Sequence, residues 1–136
     1  MLLVETKLEF KEGKGICLIA NDFIPKYNKW LQWDDVMDKF ISRTAFNHLP
    51  SNNREYLIKY AVKDSNGNYL LCGDDARFCN HSDNSNGNGV DNTQHGGLYV
   101  NALYTTRDIL IGEEITCDYR TMVFDYPKGI LDFEVI

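Results

Sequence analysis

The chain has 136 residues, 43% of them hydrophobic, and its 14 Lys and Arg against 20 Asp and Glu give a formal net charge of −6. That length suits one domain with a core of its own and leaves no room for a second. The acidic balance argues against a nonspecific nucleic-acid binder, which needs clustered cations, and would welcome a basic, Lys-rich partner, although acidic chains are also ordinary among soluble proteins.

Leu2 to Phe10 alternates, with Leu2, Val4, Thr6, Leu8 and Phe10 on one face and Glu5, Lys7 and Glu9 on the other, which predicts a half-buried strand. Gly13-Lys14-Gly15 breaks it. Ile16 to Ala20 is a continuous apolar run, so a hairpin is expected here. Trp33, Val36, Met37, Phe40, Ile41 and Thr44 then recur at helical spacing, with Asp34 and Asp35 where a helix start favours carboxylates, predicting an amphipathic helix with Trp33 in the core. A shorter helix is expected from Pro50, with Asn52 and Glu55 in capping-box register.

Asn66-Gly67 signals a hairpin that pairs Tyr60–Lys63 with Tyr69–Cys72. From Ser82 to Gly97 the sequence is rich in Asn, Gly, Asp and Ser and reads as a long loop. Leu98–Thr105 and Ile115–Tyr119 read as the last strands, joined by a turn through Arg107 to Gly112. The fold class is therefore α+β and β-rich. Cys17, Cys72, Cys79 and Cys117 show no C-x-x-C pair, so no metal site is expected. No apolar run approaches the roughly 20 residues that span a bilayer, and a soluble, cytoplasmic protein is expected.

Three short segments carry the chemistry. Gly13-Lys14-Gly15 alone is a common hairpin turn, Asn80-His81-Ser82 alone reads as an Asx turn, and Tyr119 alone reads as a strand-end core residue. In order, and with Arg107-Asp108-Ile109, Gly112-Glu113-Glu114 and Asp118-Tyr119, they resemble the sequence hallmarks of SET-domain protein lysine methyltransferases, most of all small single-domain bacterial ones. The resemblance covers residues 10 to 125. It implies a β-clip-like fold of several small sheets with a pseudoknot-like C-terminal threading and a variable helical insert over about 33–60. The implied cofactor is S-adenosylmethionine, held by Gly13, Lys14, Gly15, Asn80 and His81, with Phe124 near the adenine. Tyr119 would be the catalytic tyrosine, and Cys117, Tyr69 and Tyr104 would belong to the substrate channel. The implied partner is a lysine-containing protein or peptide, with the protein acting as a monomer or homodimer. A rival is a SET-like binding or scaffold module without turnover.

The sequence departs from the family pattern at three places. Asp83 and Ser85 stand where relatives carry Cys and Pro, although Asn86 still matches, so the order of this loop is in question. No zinc-binding cysteine cluster follows Tyr119. Cys117 stands where relatives carry Phe or Tyr, which predicts room for more than one methyl group.

Overall fold

The computed structural model describes residues 1–64, 66–89 and 102–118. Strands β1 (Thr6–Lys11) and β2 (Gly15–Ala20) form an antiparallel hairpin that pairs Phe10 with Ile16. β3 (Lys29–Gln32) is followed by β4 (Lys39–Ile41), helices α1 (Arg43–Asn47) and α2 (Ser51–Tyr60), and strands β5 (Val62–Lys63) and β6 (Tyr69–Leu71). A 3₁₀ turn over Asp75–Phe78 leads into β7 (Asn80–His81), and β8 (Ala102–Tyr104) and β9 (Thr116–Cys117) complete the described strands. They form four small sheets: β1-β2, β3-β8, β4-β6-β5 and a parallel pair, β7-β9.

The β1-β2 hairpin forms where the sequence puts it, and so does the Asn-Gly turn, but the pairing across that turn is shorter than expected: among the described residues only Val62 and Lys63 pair, with Leu70 and Tyr69, because Tyr60 still belongs to α2. The buried face of β1 does not extend as far as alternation predicts. Leu2 and Val4 pack on the core, but Leu8 is 39% exposed and Phe10 78%, because the hairpin tip projects past the elements that would cover it.

The expected helix from Trp33 to Thr44 is absent. Asp34 Oδ1 accepts from the amides of Val36 and Met37 and closes a turn, which leaves Val36 92% exposed. The buried Asp38 carboxylate fixes that turn by accepting from the amides of Asp34 and Gly73 and from the Met1 ammonium. Phe40 and Ile41 then pair with Leu70 and Tyr69. Aromatic and β-branched side chains favour a pleated surface, and a ready strand partner outweighs local helical spacing. Trp33 is half-buried, its indole donating to Asp35, and is not a core residue. Within the expected 33–60 insert, helix is confined to α1 and α2. The Asn52–Glu55 capping box is also absent, since α2 begins at Ser51 behind Pro50.

The core lies between β2, β3, β8 and the 3₁₀ turn, with Leu18, Trp30, Leu103, Ile109 and Ile115 at its centre. Trp30 and Leu31 are both buried despite being consecutive, because a register shift in the β3-β8 pairing turns both inward.

Candidate functional site

The Gly13-Lys14-Gly15 turn depends on its glycines. Both have positive φ, +83° and +86°, a region that costs other residues strain. Among the described residues nothing lies within 4 Å of where a Cβ would stand on either, so this main chain is open to approach. The Lys14 amide donates to the Lys11 carbonyl at 3.0 Å, and the Lys14 ammonium reaches across to the Glu114 carboxylate.

Glu114 joins three parts of the chain. Its segment lies along β2, with the Ala20 amide donating to Glu113 and the Ile115 amide donating to Leu18, both at 2.8 Å. One carboxylate oxygen takes Lys14, and the other accepts from Asn80 Nδ2 at 2.8 Å. Asn80 Nδ2 also donates to the Ile16 carbonyl at 3.0 Å. The Asn80 amide donors therefore bind the glycine turn to the 113–118 segment. Burial alone would raise the Glu114 carboxyl, but the hydrogen bonds from Lys14 and Asn80 and the Lys14 charge outweigh it and hold the group below its ordinary value. The same contact raises Lys14.

The 3₁₀ turn before β7 is capped by Asp74, whose carboxylate accepts from the amides of Ala76 and Leu2. It delivers Asn80 and His81 beside Thr116 and Cys117 in parallel register. His81 Nε2 lies 2.9 Å from Asp83 Oδ1, and Nδ1 lies 3.7 Å from Asp118 Oδ1.

After His81 the chain returns along the other side of the 114–118 segment. Asn86 presents its amide like a length of backbone, accepting from the Thr116 amide and donating to the Glu114 carbonyl, each at 2.9 Å. Asn88 repeats this on Asp118, accepting from its amide at 2.6 Å and donating to its carbonyl at 2.9 Å. Gly87 between them donates to the Thr116 carbonyl and accepts from Trp30 Nε1 at 2.8 Å. The segment is thus held from both sides. Arg107 adds contacts to the carbonyls of Ser85 and Asn84. These bonds supply the loop order that the missing proline leaves in question, over residues 82–89.

The structure therefore brings Gly13, Lys14, Gly15, Asn80, His81 and Cys117 together. Tyr119 and Phe124 lie outside the described residues, as do the strand positions 98–101. Tyr104 pairs through its backbone with Gly89, next to Asn88. Tyr69 stacks on Phe46 with ring centroids 4.4 Å apart, and Tyr104 sits under the Lys29 ammonium. Neither lines the cavity of about 240 Å³ that opens between β3, β8, β5, β6 and the end of α2, and whose inner wall includes Trp30, Leu103, Cys79 and Cys117. Sequence reasoning saw Glu114 only as part of a motif and did not single out Asn88 or the Trp30 hydrogen bond to Gly87. The only available signals were the acidic pair after Gly112 and the alternating asparagines at 84, 86 and 88. Among the described residues, no group of three or more His, Cys, Asp or Glu side chains is arranged to hold a metal ion, and no helix is long and apolar enough to cross a membrane.

Several small sheets, with a glycine turn, an Asn-His strand and the segment before β9 meeting at one carboxylate, make up a SET-type fold. The chain belongs to the SET-domain family, whose model matches residues 6–120. Among solved structures it is similar to the crystal structure of a candidate histone methyltransferase of Plasmodium falciparum, with a TM-score of 0.57 and 19% identity over 89% of this chain and 97% of that one. At that identity the likeness speaks for the fold. No curated protein sequence matches the chain.

Proposed function

We propose that this protein transfers a methyl group from S-adenosylmethionine to the side-chain amine of a protein lysine. The observation that carries the reading is the meeting of the glycine turn, Asn80-His81 and the 114–118 segment at the Glu114 carboxylate. The cofactor fits what stands there. The open main chain of residues 13–15 can approach a ligand closely, and the Glu114 carboxylate reaches it through Lys14. Gly13, Lys14, Gly15, Asn80 and His81 would hold the cofactor, with Phe124 against its adenine. When bound, the cofactor supplies a methyl group activated by its sulfonium.

The chain's own task is to present a neutral amine. A lysine with a pKa of about 10.4 costs roughly 4–5 kcal/mol to deprotonate at neutral pH, and a dry wall beside positive charge lowers that cost. Tyr119 follows Asp118 directly and would orient the amine, so that rate comes from positioning and electrostatics. Cys117 would leave room for more than one methyl group, and a basic substrate segment suits the net charge of −6.

Calorimetric titration with S-adenosylhomocysteine, followed by transfer of radiolabelled methyl groups to extract proteins, tests the reading. Binding plus transfer that disappears in Tyr119→Phe supports it. Binding without transfer favours the scaffold module, and absence of binding defeats both.

A further inference from the structure

The proposed chemistry uses Cys117 only for its small size and Cys79 not at all, yet their sulfur atoms lie 3.2 Å apart. Cys79 is the last residue before β7 and Cys117 the last of β9, so in the parallel register they meet diagonally across the strand pair that carries Asn80 and His81. Both are buried, at 8% and 1% exposure, and both form part of the wall of the 240 Å³ cavity. A water molecule occupies about 30 Å³ of liquid, so the cavity has room for a small oxidant. Its rim carries the exposed side chains of Ile58, Lys59 and Lys63, which gives a route in from solvent.

We propose that Cys79 and Cys117 are a modification site, a thiol pair that a peroxide converts into an intramolecular disulfide. In the first step one thiol sulfur attacks the peroxide, the O–O bond breaks, and a sulfenic acid and an alcohol or water form. The second sulfur then attacks the sulfenic sulfur, the S–S bond forms as the S–O bond breaks, and the departing hydroxide leaves as water with the second thiol's proton. In sum, two thiols lose two electrons and the peroxide gains them. The Cys117 contact and burial push the Cys79 thiol well up. Closing the gap to the roughly 2.05 Å of a disulfide draws the residue before Asn80 onto β9. Oxidation therefore acts on the strand pair that builds the site. Cys17 lacks this arrangement, since it lies beside the Asn80 amide at 3.6 Å, and Cys72 is only half-buried.

The test is to treat the folded, full chain with hydrogen peroxide, quench in acid, label under denaturing conditions with N-ethylmaleimide and map the peptides by mass spectrometry. The labelled thiols are expected to fall from four to two, with a Cys79–Cys117 linked peptide that dithiothreitol releases. Cys17→Ser/Cys72→Ser should keep the response and Cys79→Ser should lose it, while the wild-type peptide map stands independently of whether any variant folds. Four labelled thiols, a sulfinic acid without a bridge, another pairing or a bridge between two chains would each overturn the proposal. Because the readout is a covalent bond, it stands apart from whether methyl transfer is found.

Discussion

Glu114 gathers Lys14 and Asn80 on one carboxylate, so its replacement separates the glycine turn from the Asn-His strand. Hydrogen bonds to charged groups contribute about 1.5–3 kcal/mol, and Glu114→Gln is expected to weaken S-adenosylhomocysteine binding by roughly tenfold in calorimetry while the chain still folds. The same carboxylate sets an acid limit. Its folded pKa lies below 4.5, so its contribution to stability is complete above that value and is lost as pH falls through the depressed one. Denaturant melts should therefore show the wild type ahead of Glu114→Gln at neutral pH, with the difference closing under acid. Gly87 is a second sensitive position. A Cβ there would stand 2.9 Å from both the Thr116 carbonyl and the Trp30 ring. Overpacking of this kind costs about 1–3 kcal/mol, and Gly87→Ala should lower the midpoint of thermal unfolding by several degrees.

The element that makes the site possible is the 86–88 return, which pairs with 114–118 through side-chain amides as well as backbone. Asn86→Ala would leave the buried Thr116 amide and the Glu114 carbonyl without their partner, at about 1–3 kcal/mol for each buried group. Faster hydrogen exchange at the Thr116 amide in that variant, with β1 and β2 protected as before, would locate the damage in this ladder. Unchanged exchange would mean that Asn86 is not what holds the segment. At the same scale, β4 shows how a strand partner overrules periodicity. Lys39, Phe40 and Ile41 sit opposite Leu71, Leu70 and Tyr69, and the turn before them is fixed by Asp34 and Asp38.

At the scale of the molecule, 14 basic against 20 acidic residues leave a net charge of −6 that attracts a Lys-rich segment at long range. Screening shortens that reach to about 10 Å at 0.1 M salt. If the protein methylates a basic peptide, kcat/KM should fall as salt is raised, mainly through KM, and a matched neutral peptide should show little change. The reverse order would dissociate the acidic charge from substrate choice.

The sequence alone determined the family, the three motif segments, the β1-β2 hairpin and the Asn66-Gly67 turn. Each of these is encoded locally, in glycines that need positive φ or in residue types at fixed spacing. Only the tertiary structure decided the rest. The 33–41 stretch carries a helical pattern and still becomes a turn and a strand, because the buried Asp38 carboxylate finds three donors and β6 offers an edge. Phe10 follows strand alternation and still meets solvent, because nothing among the described residues covers the hairpin tip. Glu114 and Asn86 fall within motif segments in the sequence, but their roles come from partners 100 and 30 residues away. The 3.2 Å approach of Cys79 and Cys117 is of the same kind. Spacing along a chain fixes which face a side chain takes, whereas contacts across it depend on which segments share a core.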